Sequence, residues 1–390
     1  MKICATIAEY NPFHLGHKKH IEYMKNSLGA EKIVVIMSGN FTQRGEIAVM
    51  DKFTRASHAI KAGASLVIEL PTVFATANAE TFAKGAINVL SSLNAVDGIC
   101  FGVESGNKAS YLELAKAMNN ESKEFKKVLK EKLESGISLA KAKFEAVKEL
   151  GDERFDEALI SSPNNVLGLE YTKAILSAKS NMDIFPMHRE GDHNDKTLKK
   201  GITSATSIRE AIKDGKGKSA KKCVPPFVFD DFCPYPFDFD KVLLSSIVTA
   251  TAEELALVPD CTEGLENRIK AFIKDNHDLQ TLVDKISTKR YTKTRVQRIL
   301  LSNLLGIDNT LVKECLSSPL YAKVLAVDKT DKEIISVLSS KSSIPLLTRK
   351  SDSAMLKKTA LSCFEKDTLA SDLYALISNK KQNEHQMILV

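Results

Sequence analysis

The sequence of 390 residues predicts an α/β protein, in which a parallel sheet covered by helices on both faces is followed by a mainly helical second domain. Three observations support this fold class. Short apolar segments alternate with helix-like segments over roughly the first half of the chain. Glycine and polar residues follow several of these apolar segments. After about residue 222 the alternation ends and helical periodicity dominates.

Five short apolar segments are predicted to be strands, because strands buried on both faces are near-continuous apolar runs. They cover residues 3–8, 32–37, 65–70, 97–101 and 183–187. Helical periodicity lies between them, over residues 16–27, 52–62, 79–93 and 164–178. A charged, amphipathic helical insert within about 107–160 is expected to break at Gly136. Residues 1–221 are therefore predicted to form the parallel-sheet domain.

Residues 222–390 are predicted to form the second domain. Four prolines and five phenylalanines within residues 225–239 indicate an irregular apolar connector. Helical periodicity follows over residues 241–257, 262–275 and 295–305. Strand-like segments at 321–327 and 344–348 then flank a helix-like segment at 331–339. This last pattern predicts a small α/β element within a mainly helical domain.

The composition is that of an ordinary soluble protein, with 43% hydrophobic and 27% charged residues. It contains no apolar run long enough to span a bilayer, and the N-terminus is strand-like rather than a signal peptide. The seven cysteines are odd in number, scattered and without a CxxC pair, which predicts free thiols in a reducing cytoplasm. We therefore expect a cytoplasmic protein without a membrane partner.

A histidine-rich turn follows the first predicted strand. Residues 11–17 read NPFHLGH, so His14 and His17 flank Gly16 where a helix should begin. A helix start offers free N–H donors and a positive dipole end, which suit phosphate. Imidazoles there can donate to phosphate oxygens and stabilise charge during attack at phosphorus. The alternative is a pair of turn histidines, one capping the helix and one solvated.

A second candidate anion site precedes another predicted helix. Ser204, Thr206 and Ser207 can cap the helix and also donate to phosphate oxygens. Arg209 lies one turn later, where its guanidinium can reach the same anion. The alternative is a plain Ser/Thr cap beside a surface arginine.

Further polar residues lie at the ends of other predicted strands, where ligands of parallel sheets bind. The loop 38–45 carries glycine and hydrogen-bonding groups, and Arg55 lies in the helix after it. Gly102, Asn164 and Arg189 follow later segments and are candidates for contacts with a nucleotide. Capping and surface ion pairs are the alternatives for these residues.

Positive charge is concentrated locally, although the net charge of the chain is only +6. Residues 196–222 contain nine Lys or Arg and two acids. Residues 289–298 contain five cations, one aromatic residue and no acid. Such clusters can bind the phosphates of a nucleic acid, whereas a solvated helix face is the common alternative.

The HxGH stretch and the SATSIR stretch at 204–209 resemble the signatures of the nucleotidyltransferase superfamily. Further blocks extend the similarity to the bacterial tRNA(Met) cytidine acetate ligase family. They are AEYNPFH at 8–14, MSGNFTQRG at 37–45, DKF at 51–53, IELP at 68–71, PNNVLG at 163–168 and KRY at 289–291. The resemblance implies a Rossmann-like nucleotidyltransferase domain. It also implies that acetate and ATP form acetyl-adenylate, which then acetylates N4 of the wobble cytidine (C34) of elongator tRNA(Met).

Together, the resemblance and the chemistry of the side chains indicate which residues bind each substrate. His14 and His17 would be catalytic, and Leu15 and Phe53 depart from the residues that we expect of the family. Binding of tRNA is assigned to Lys289, Arg290, Lys293, Arg295 and Arg298. Binding of ATP is assigned to Ile7, Ala8, Glu9, Tyr10, Asn11, Pro12, Phe13, His14, Leu15, Gly16, His17, Lys18, Lys19, His20, Gly102, Asn164 and Arg189, with Ser204, Thr206, Ser207 and Arg209 added on the chemistry of their side chains.

No cluster of His, Asp or Glu with the spacing of metal ligands is evident, so Mg²⁺ is expected only with the triphosphate. Two other functions remain open from the residues alone. One is a metabolic adenylyltransferase that acts on a small phosphorylated substrate. The other is a non-catalytic regulator that binds tRNA or a nucleotide.

Overall fold

The computed structural model describes residues 2–120, 122–137, 139–150, 156–160, 162–189, 204–233 and 239–390. Its strands form one eight-stranded sheet in the order β5-β4-β1-β2-β3-β6-β7, with β8 paired to β6. The strands are β1 (Ile3–Ala8), β2 (Lys32–Ser38), β3 (Leu66–Leu70), β4 (Gly98–Val103), β5 (Asp183–His188), β6 (Ala322–Val327), β7 (Leu346–Leu347) and β8 (Ile388–Leu389).

The described helices surround this sheet. They are α1 (Leu15–Asn26), α2 (Lys52–Lys61), α3 (Thr72–Ala75), α4 (Ala79–Ser92), α5 (Lys108–Asn119), α6 (Lys123–Glu134), α7 (Leu139–Glu149), α8 (Pro163–Ser177), α9 (Ala205–Lys213), α10 (Pro226–Phe229), α11 (Phe239–Thr249), α12 (Ala252–Leu257), α13 (Leu265–Ile273), α14 (Leu279–Ile286), α15 (Lys293–Leu304), α16 (Asn309–Ser317), α17 (Glu333–Lys341), α18 (Lys350–Ser353) and α19 (Lys358–Ser378). Two short 3₁₀ helices cover Glu157–Ile160 and Gly217–Lys222.

The five predicted N-terminal strands are present and parallel, which confirms the predicted α/β fold class. The chain builds the sheet outwards from β1 through β2 to β3, and then continues at β4 on the other side of β1. The strand order therefore reverses between β1 and β4. In open α/β sheets, the crevice outside the carboxyl ends of the strands at such a reversal is where ligands bind.

The far edge of the sheet differs from the prediction. Strand β6 lies antiparallel to β3, so the sheet is mixed rather than purely parallel. The predicted small α/β element is not separate, because β6, β7 and β8 extend the first sheet. All six residues of β6 are buried, and such a strand shows no alternation that could reveal its partner. The division of the chain at residue 222 stays a prediction.

The two faces of the sheet have separate apolar cores. On one face, α4 and α8 pack against each other and α8 packs on β4, within a core that includes Ile3, Ala5 and Phe101. On the other face, α2 packs on β2 and β6. That second core includes Cys4, Phe13 and Ile208. Residues that alternate along β1 thus point to opposite cores, as the pleat of a strand requires.

Candidate active site

A cavity of about 230 Å³ opens at the carboxyl ends of β1, β4 and β5, where the strand order reverses. Fourteen of the predicted ATP-binding residues line it. They are Ile7, Ala8, Glu9, Tyr10, Asn11, His14, Gly16, His17, His20, Gly102, Asn164, Arg189, Thr206 and Arg209. The structure thus brings five separate segments of the chain together around one cavity.

Seven other predicted residues do not line the cavity. Pro12 and Phe13 are buried behind it, and Leu15 is half-buried. Lys18 and Lys19 are exposed on the following turn of α1. The two serines of the second signature, Ser204 and Ser207, lie in the N-terminal cap of α9.

The two histidines form the cap of α1. The Nδ1 atom of His14 accepts a hydrogen bond from the Gly16 N–H at 3.0 Å, and Nδ1 of His17 accepts from the His14 N–H at 3.2 Å. Their rings stack with centroids 3.7 Å apart. A backbone N–H can only donate, so both Nδ1 atoms are unprotonated and the neutral rings carry their proton on Nε2. The same rings therefore have both the capping role and the donor role considered for the motif, because they cap the helix through Nδ1 and present Nε2–H donors.

Gly16 is required by the position of the His14 ring. A Cβ atom at position 16 would lie 2.8 Å from Cε1 of His14, closer than real Cβ contacts come. Any larger residue would displace the His14 ring from the cap. The glycine of the motif therefore serves the placement of the histidine itself.

Desolvation favours the neutral forms of His17 and His20. Desolvation, followed by the charges of His14 and Arg189, lowers the pKa of His17 well below its usual value. Desolvation and the charge of Arg189 lower the pKa of His20 to about 4. Neutral His17 can donate through Nε2 without carrying a charge, which suits a role as a hydrogen-bond donor to a phosphate oxygen.

The second signature is tied to the first by Arg209. Its Nη1 donates to the Asn11 carbonyl at 2.8 Å, and its Nη2 donates to the Thr206 hydroxyl at 3.3 Å. The Ser204 hydroxyl caps α9 by accepting from the Ser207 N–H at 3.2 Å. Ser204 and Ser207 therefore act within the cap, whereas Thr206 and Arg209 reach the cavity.

Asn11 contributes an unsatisfied donor. Its Oδ1 accepts from the Val49 N–H at 2.9 Å, which fixes the orientation of the amide. Its Nδ2 is buried and has no hydrogen-bond partner among the described residues. Buried polar groups are nearly always paired, so an unpaired donor in a cavity wall points to a ligand oxygen.

The opposite end of the cavity is formed after β4 and β5. The side chain of Arg189 lies across Gly102, where an added Cβ would come within 2.8 Å of its Cδ. Asn164 donates to the Glu104 carboxylate, and Asn165 accepts from the Glu104 N–H at 2.9 Å. These contacts hold the loop after β4 against the start of α8.

Some lining residues were not assigned to ATP binding from the sequence. Gln43 and Arg44 enter from the loop after β2, where Glu9 accepts from the Gln43 N–H at 2.8 Å. Their polar loop is a visible signal in the sequence. The other lining residues that were not assigned are Thr6 and seven apolar or aromatic residues, which look like ordinary core positions of strands and helices. The seven are Phe82, Phe101, Pro163, Leu167, Tyr171, Met187 and Ala205.

Arg55 has a structural role near the cavity. It is fully buried, and its Nε donates to the Met50 carbonyl at 2.9 Å. Its two terminal nitrogens donate to the carbonyls of Glu9, Ser38 and Gly39. The guanidinium thus joins the loops that follow β1 and β2, and these loops carry Glu9 and Gln43 to the cavity.

The basic cluster at residues 289–298 is largely paired with acids. Its ion pairs are Arg290 with Glu263, Lys293 with Asp284 at 2.5 Å, and Arg298 with Asp260 at 3.5 Å. The Nε and Nη2 atoms of Arg295 donate to the Asp260 carbonyl at 3.0 and 2.8 Å. Lys289 is exposed and has no ion pair within the part of the chain that the structure describes.

This cluster lies against the loop after β2. Gly45 has φ +75°, and a Cβ there would lie 2.5 Å from the backbone carbonyl carbon of Gln297 in α15. Gly45 directly follows Arg44, which lines the cavity. The helix that carries the basic cluster therefore contacts the loop that leads to the cavity. The lysines at 196, 199 and 200 of the other basic stretch lie outside the described residues.

Comparison with known proteins identifies the family. Residues 1–387 match the family model described as HIGH Nucleotidyl Transferase. The tRNA(Met) cytidine acetate ligase of Acetivibrio thermocellus is 38% identical over 96% of this chain and 95% of that protein. The enzyme of the same name from Clostridium novyi is 36% identical over 97% of this chain and 96% of its own length. The chain belongs to the tRNA(Met) cytidine acetate ligase family.

Solved structures agree with this family assignment. The apo structure of Thermotoga maritima TmcAL matches with a TM-score of 0.91 and 27% identity, covering 100% of both chains. The same protein bound with alpha-thio ATP matches with a TM-score of 0.88 and 26% identity, covering 98% of this chain and 97% of that one. The resemblance seen in the sequence is thereby confirmed.

Two predictions about the whole chain can also be compared with the structure. Within the described ranges, no helix is both long enough and apolar enough to cross a bilayer. All seven cysteines are described, and all are free. The prediction of free thiols is confirmed.

Acid is expected to destabilise this member of the ligase family through His20, whose pKa is lowered in the fold. An unfolded histidine takes up a proton near pH 6.5, whereas His20 in the fold does so at about pH 4. Between these values the unfolded state binds more protons, so stability falls as pH falls, by up to about 1.4 kcal/mol per pH unit for one group. We expect the free energy of unfolding, measured in urea from pH 7 to 5, to fall less steeply for His20→Gln than for the natural protein. Equal slopes would contradict the lowered pKa of His20.

Proposed function

We propose that the protein is an ATP-dependent ligase that activates acetate as acetyl-adenylate and acetylates N4 of the wobble cytidine (C34) of elongator tRNA(Met). The observation that carries this proposal is the pair of Nδ1-capped histidines in the cavity of a chain that belongs to the ligase family. ATP as a substrate is supported by the related Thermotoga maritima protein, whose crystals contain alpha-thio ATP. We place the reaction in the cytoplasm, where its tRNA substrate is used.

In the first step, a carboxylate oxygen of acetate attacks the α-phosphorus of ATP. The new bond joins acetate to AMP, and the bond to the β-phosphate breaks and releases pyrophosphate. Negative charge builds on the phosphate oxygens during this step. Nε2–H of His17, Nδ2–H of Asn11 and the guanidinium of Arg209 are positioned in the cavity wall to stabilise it.

Mg²⁺ fits the site only as part of the nucleotide. Glu9 is the one carboxylate among the described lining residues, and one carboxylate with phosphate oxygens and waters is a usual environment for Mg²⁺. When bound, the ion would neutralise charge on the triphosphate. A group of three carboxylates, Glu69, Asp367 and Glu384, does not line the cavity, and Lys52 and Lys323 already pair with two of them, Glu69 and Glu384.

In the second step, the N4 amine of cytidine attacks the acetyl carbon and AMP leaves. The amine loses a proton, and the product is N4-acetylcytidine. A wobble base must turn out of the anticodon loop to reach the cavity, which costs little in single-stranded RNA. The contact between Gly45 and α15 places the basic cluster next to the loop that carries Arg44, which supports an approach of the anticodon loop along this cluster towards the cavity.

The basic cluster yields a prediction about tRNA binding. Lys289→Ala is expected to weaken tRNA affinity and to reduce the slope of log affinity against log salt by about 1, because an exposed and unpaired lysine is free to bind a phosphate. Arg298→Ala is the matched control. Its side chain is only 12% exposed and contacts Asp260, so it should lower stability and leave the salt slope unchanged. Filter binding at several salt concentrations measures both, and equal slopes for Lys289→Ala and the natural protein would contradict the assignment.

The proposal as a whole is tested by tRNA acetylation. The protein is incubated with ATP, labelled acetate and a transcript of elongator tRNA(Met), and the digested RNA is examined for N4-acetylcytidine by mass spectrometry. Acetylation of this transcript and none of a C34→U transcript is expected. Label on both transcripts, or on neither, would contradict the proposed target.

A further inference from the structure

The cavity has two chemically different walls. The wall formed by α1 and α9 carries His14, His17 and Arg209. The opposite wall is apolar and lies on the other face of the sheet, where α4 and α8 pack together. It consists of Ile7, Phe82, Phe101, Leu167 and Tyr171. The histidine wall suits a triphosphate, and the apolar wall needs a different occupant.

This apolar wall continues into the depth of the cavity. Helix α8 starts at the rim with Pro163 and then crosses back along the sheet, because β5 after it runs parallel to β4. Asn164, Leu167 and Tyr171 are spaced by three and four residues and so share one face of the helix. Tyr171 comes eight residues after Pro163, which places it about 12 Å further along the helix axis. Tyr171 therefore lies at the floor of the cavity, below the rim formed by Gly102 and Asn164.

The hydroxyl of Tyr171 has no protein partner. The residue is only 4% exposed, and no hydrogen bond joins its hydroxyl to any described residue. Its ring meets the ring of Phe101 edge-on at 5.8 Å. Burial, and then the charge of Glu9, raise the pKa of Tyr171, so the hydroxyl keeps its proton and can donate. The hydroxyl borders the cavity, so a ligand in the cavity can supply its acceptor.

Phe82 closes the floor from the side of α4. It lies in the first turn of that helix and is 2% exposed. Its ring belongs to the same apolar core as Phe101 and Tyr171. The floor thus combines three aromatic rings with one hydrogen-bond donor. That chemistry suits a very small carboxylic acid, whose methyl group contacts the rings and whose carboxylate accepts from the hydroxyl.

We propose that this floor is the acid-binding pocket, with Tyr171 as the donor to the acetate carboxylate and Phe82 as the residue that limits the length of the acyl chain. The inference rests on the proposed function and names its acid subsite. Acetate held there lies between the apolar floor and the histidine wall, and its free oxygen faces the α-phosphate. A longer acid would collide with the Phe82 ring.

Phe82→Ala tests the limit on chain length. Pyrophosphate exchange into ATP is measured with acetate, propionate and butyrate as the acid. One methylene in an apolar pocket changes specificity by about 10–200-fold, so the variant should raise the efficiency with propionate relative to acetate at least about 10-fold. Phe74→Ala removes a fully buried ring outside the cavity and controls for general loss of stability. It should leave the acid preference unchanged.

Tyr171→Phe keeps the volume of the floor and removes only the donor. It should raise KM for acetate about 10-fold with KM for ATP unchanged. A raised KM for ATP in either variant, with the same acid preference as the natural protein, would overturn the proposal and assign the floor to the adenine ring. If the natural protein shows no exchange with acetate, either alone or with added bulk tRNA, the proposed function itself fails. If exchange by the natural protein is normal and neither variant alters it, the acid-pocket proposal fails and the proposed function stands.

Discussion

His17→Asn is expected to reduce acetate-dependent pyrophosphate exchange about 10²–10³-fold, the usual cost of losing one donor to a developing negative charge. The structural reason is that the two nitrogen atoms of the ring have different roles. Nδ1 of His17 accepts from the His14 N–H and caps α1, whereas Nε2 carries the proton that can reach a phosphate. Asparagine supplies a short side-chain acceptor for the cap but has no group at the position of Nε2.

His17→Ala is the comparison that separates the two roles. It removes the cap as well as the donor, and a lost cap costs about 1 kcal/mol of stability. We expect both variants to be equally inactive, with Tm lowered more in His17→Ala, and tRNA affinity close to normal in both. Activity retained by His17→Asn would show that the cap, rather than the Nε2 donor, is what catalysis needs. Parallel loss of tRNA binding would also count against the catalytic role.

Lys52→Met is expected to lower the free energy of unfolding by about 3–5 kcal/mol, because it leaves buried charges without their partner. Lys52 is 1% exposed, and its Nζ lies 2.8 Å from Glu69 and 2.7 Å from Glu384. Lys323 of β6 contacts the same two carboxylates. Burial raises the pKa of Glu69, but the charges of Lys323 and Lys52 outweigh it and hold the pKa below its usual value. Glu69 therefore keeps its charge and needs both lysines.

Urea unfolding measures this loss, and two further variants control it. Lys61→Met changes the exposed last residue of the same helix and should cost no more than about 0.5 kcal/mol. The double variant Lys52→Met/Glu69→Gln removes one charge of each sign. Its loss of unfolding free energy should be smaller than the sum of the losses in the two single variants. Additive losses would mean that Lys52 and Glu69 do not stabilise each other.

The ion cluster also shows why the edge of the sheet was not predictable. From β1 to β4, each strand begins no more than about forty residues after the start of the one before it, and each is a short apolar run. Strand β6 pairs with β3 across more than 250 residues of sequence. The lysine within the apolar run of β6 and the glutamate of the IELP block were visible separately. Only the fold shows that Lys323 and Glu69 are partners.

The longest described helix was missed for a related reason. Helix α19 buries Asp367 and Ser371 together with Cys363 and Tyr374. The Asp367 carboxylate accepts from the Thr72 N–H at 2.7 Å and from the Tyr321 hydroxyl at 2.5 Å. Because polar residues face the core, the helix lacks the apolar stripe that reveals an amphipathic helix.

The candidate site divides in the same way. Residues that carry phosphate chemistry were found because histidine, glycine and hydroxyl side chains at the ends of strands are unusual. The aromatic floor was not found, since Phe82 and Tyr171 have the spacing of ordinary core positions on helices. Their role depends on a cavity that only the packing of α4 against α8 defines.

The central claim is that this protein joins acetate to AMP, and pyrophosphate exchange tests it most directly. Purified protein is incubated with ATP and labelled pyrophosphate, with and without acetate, and label in ATP is counted. We predict exchange that requires acetate and proceeds without tRNA. Absence of exchange with acetate, both alone and with added bulk tRNA, would contradict acyl activation and favour an adenylyltransferase that acts on another substrate.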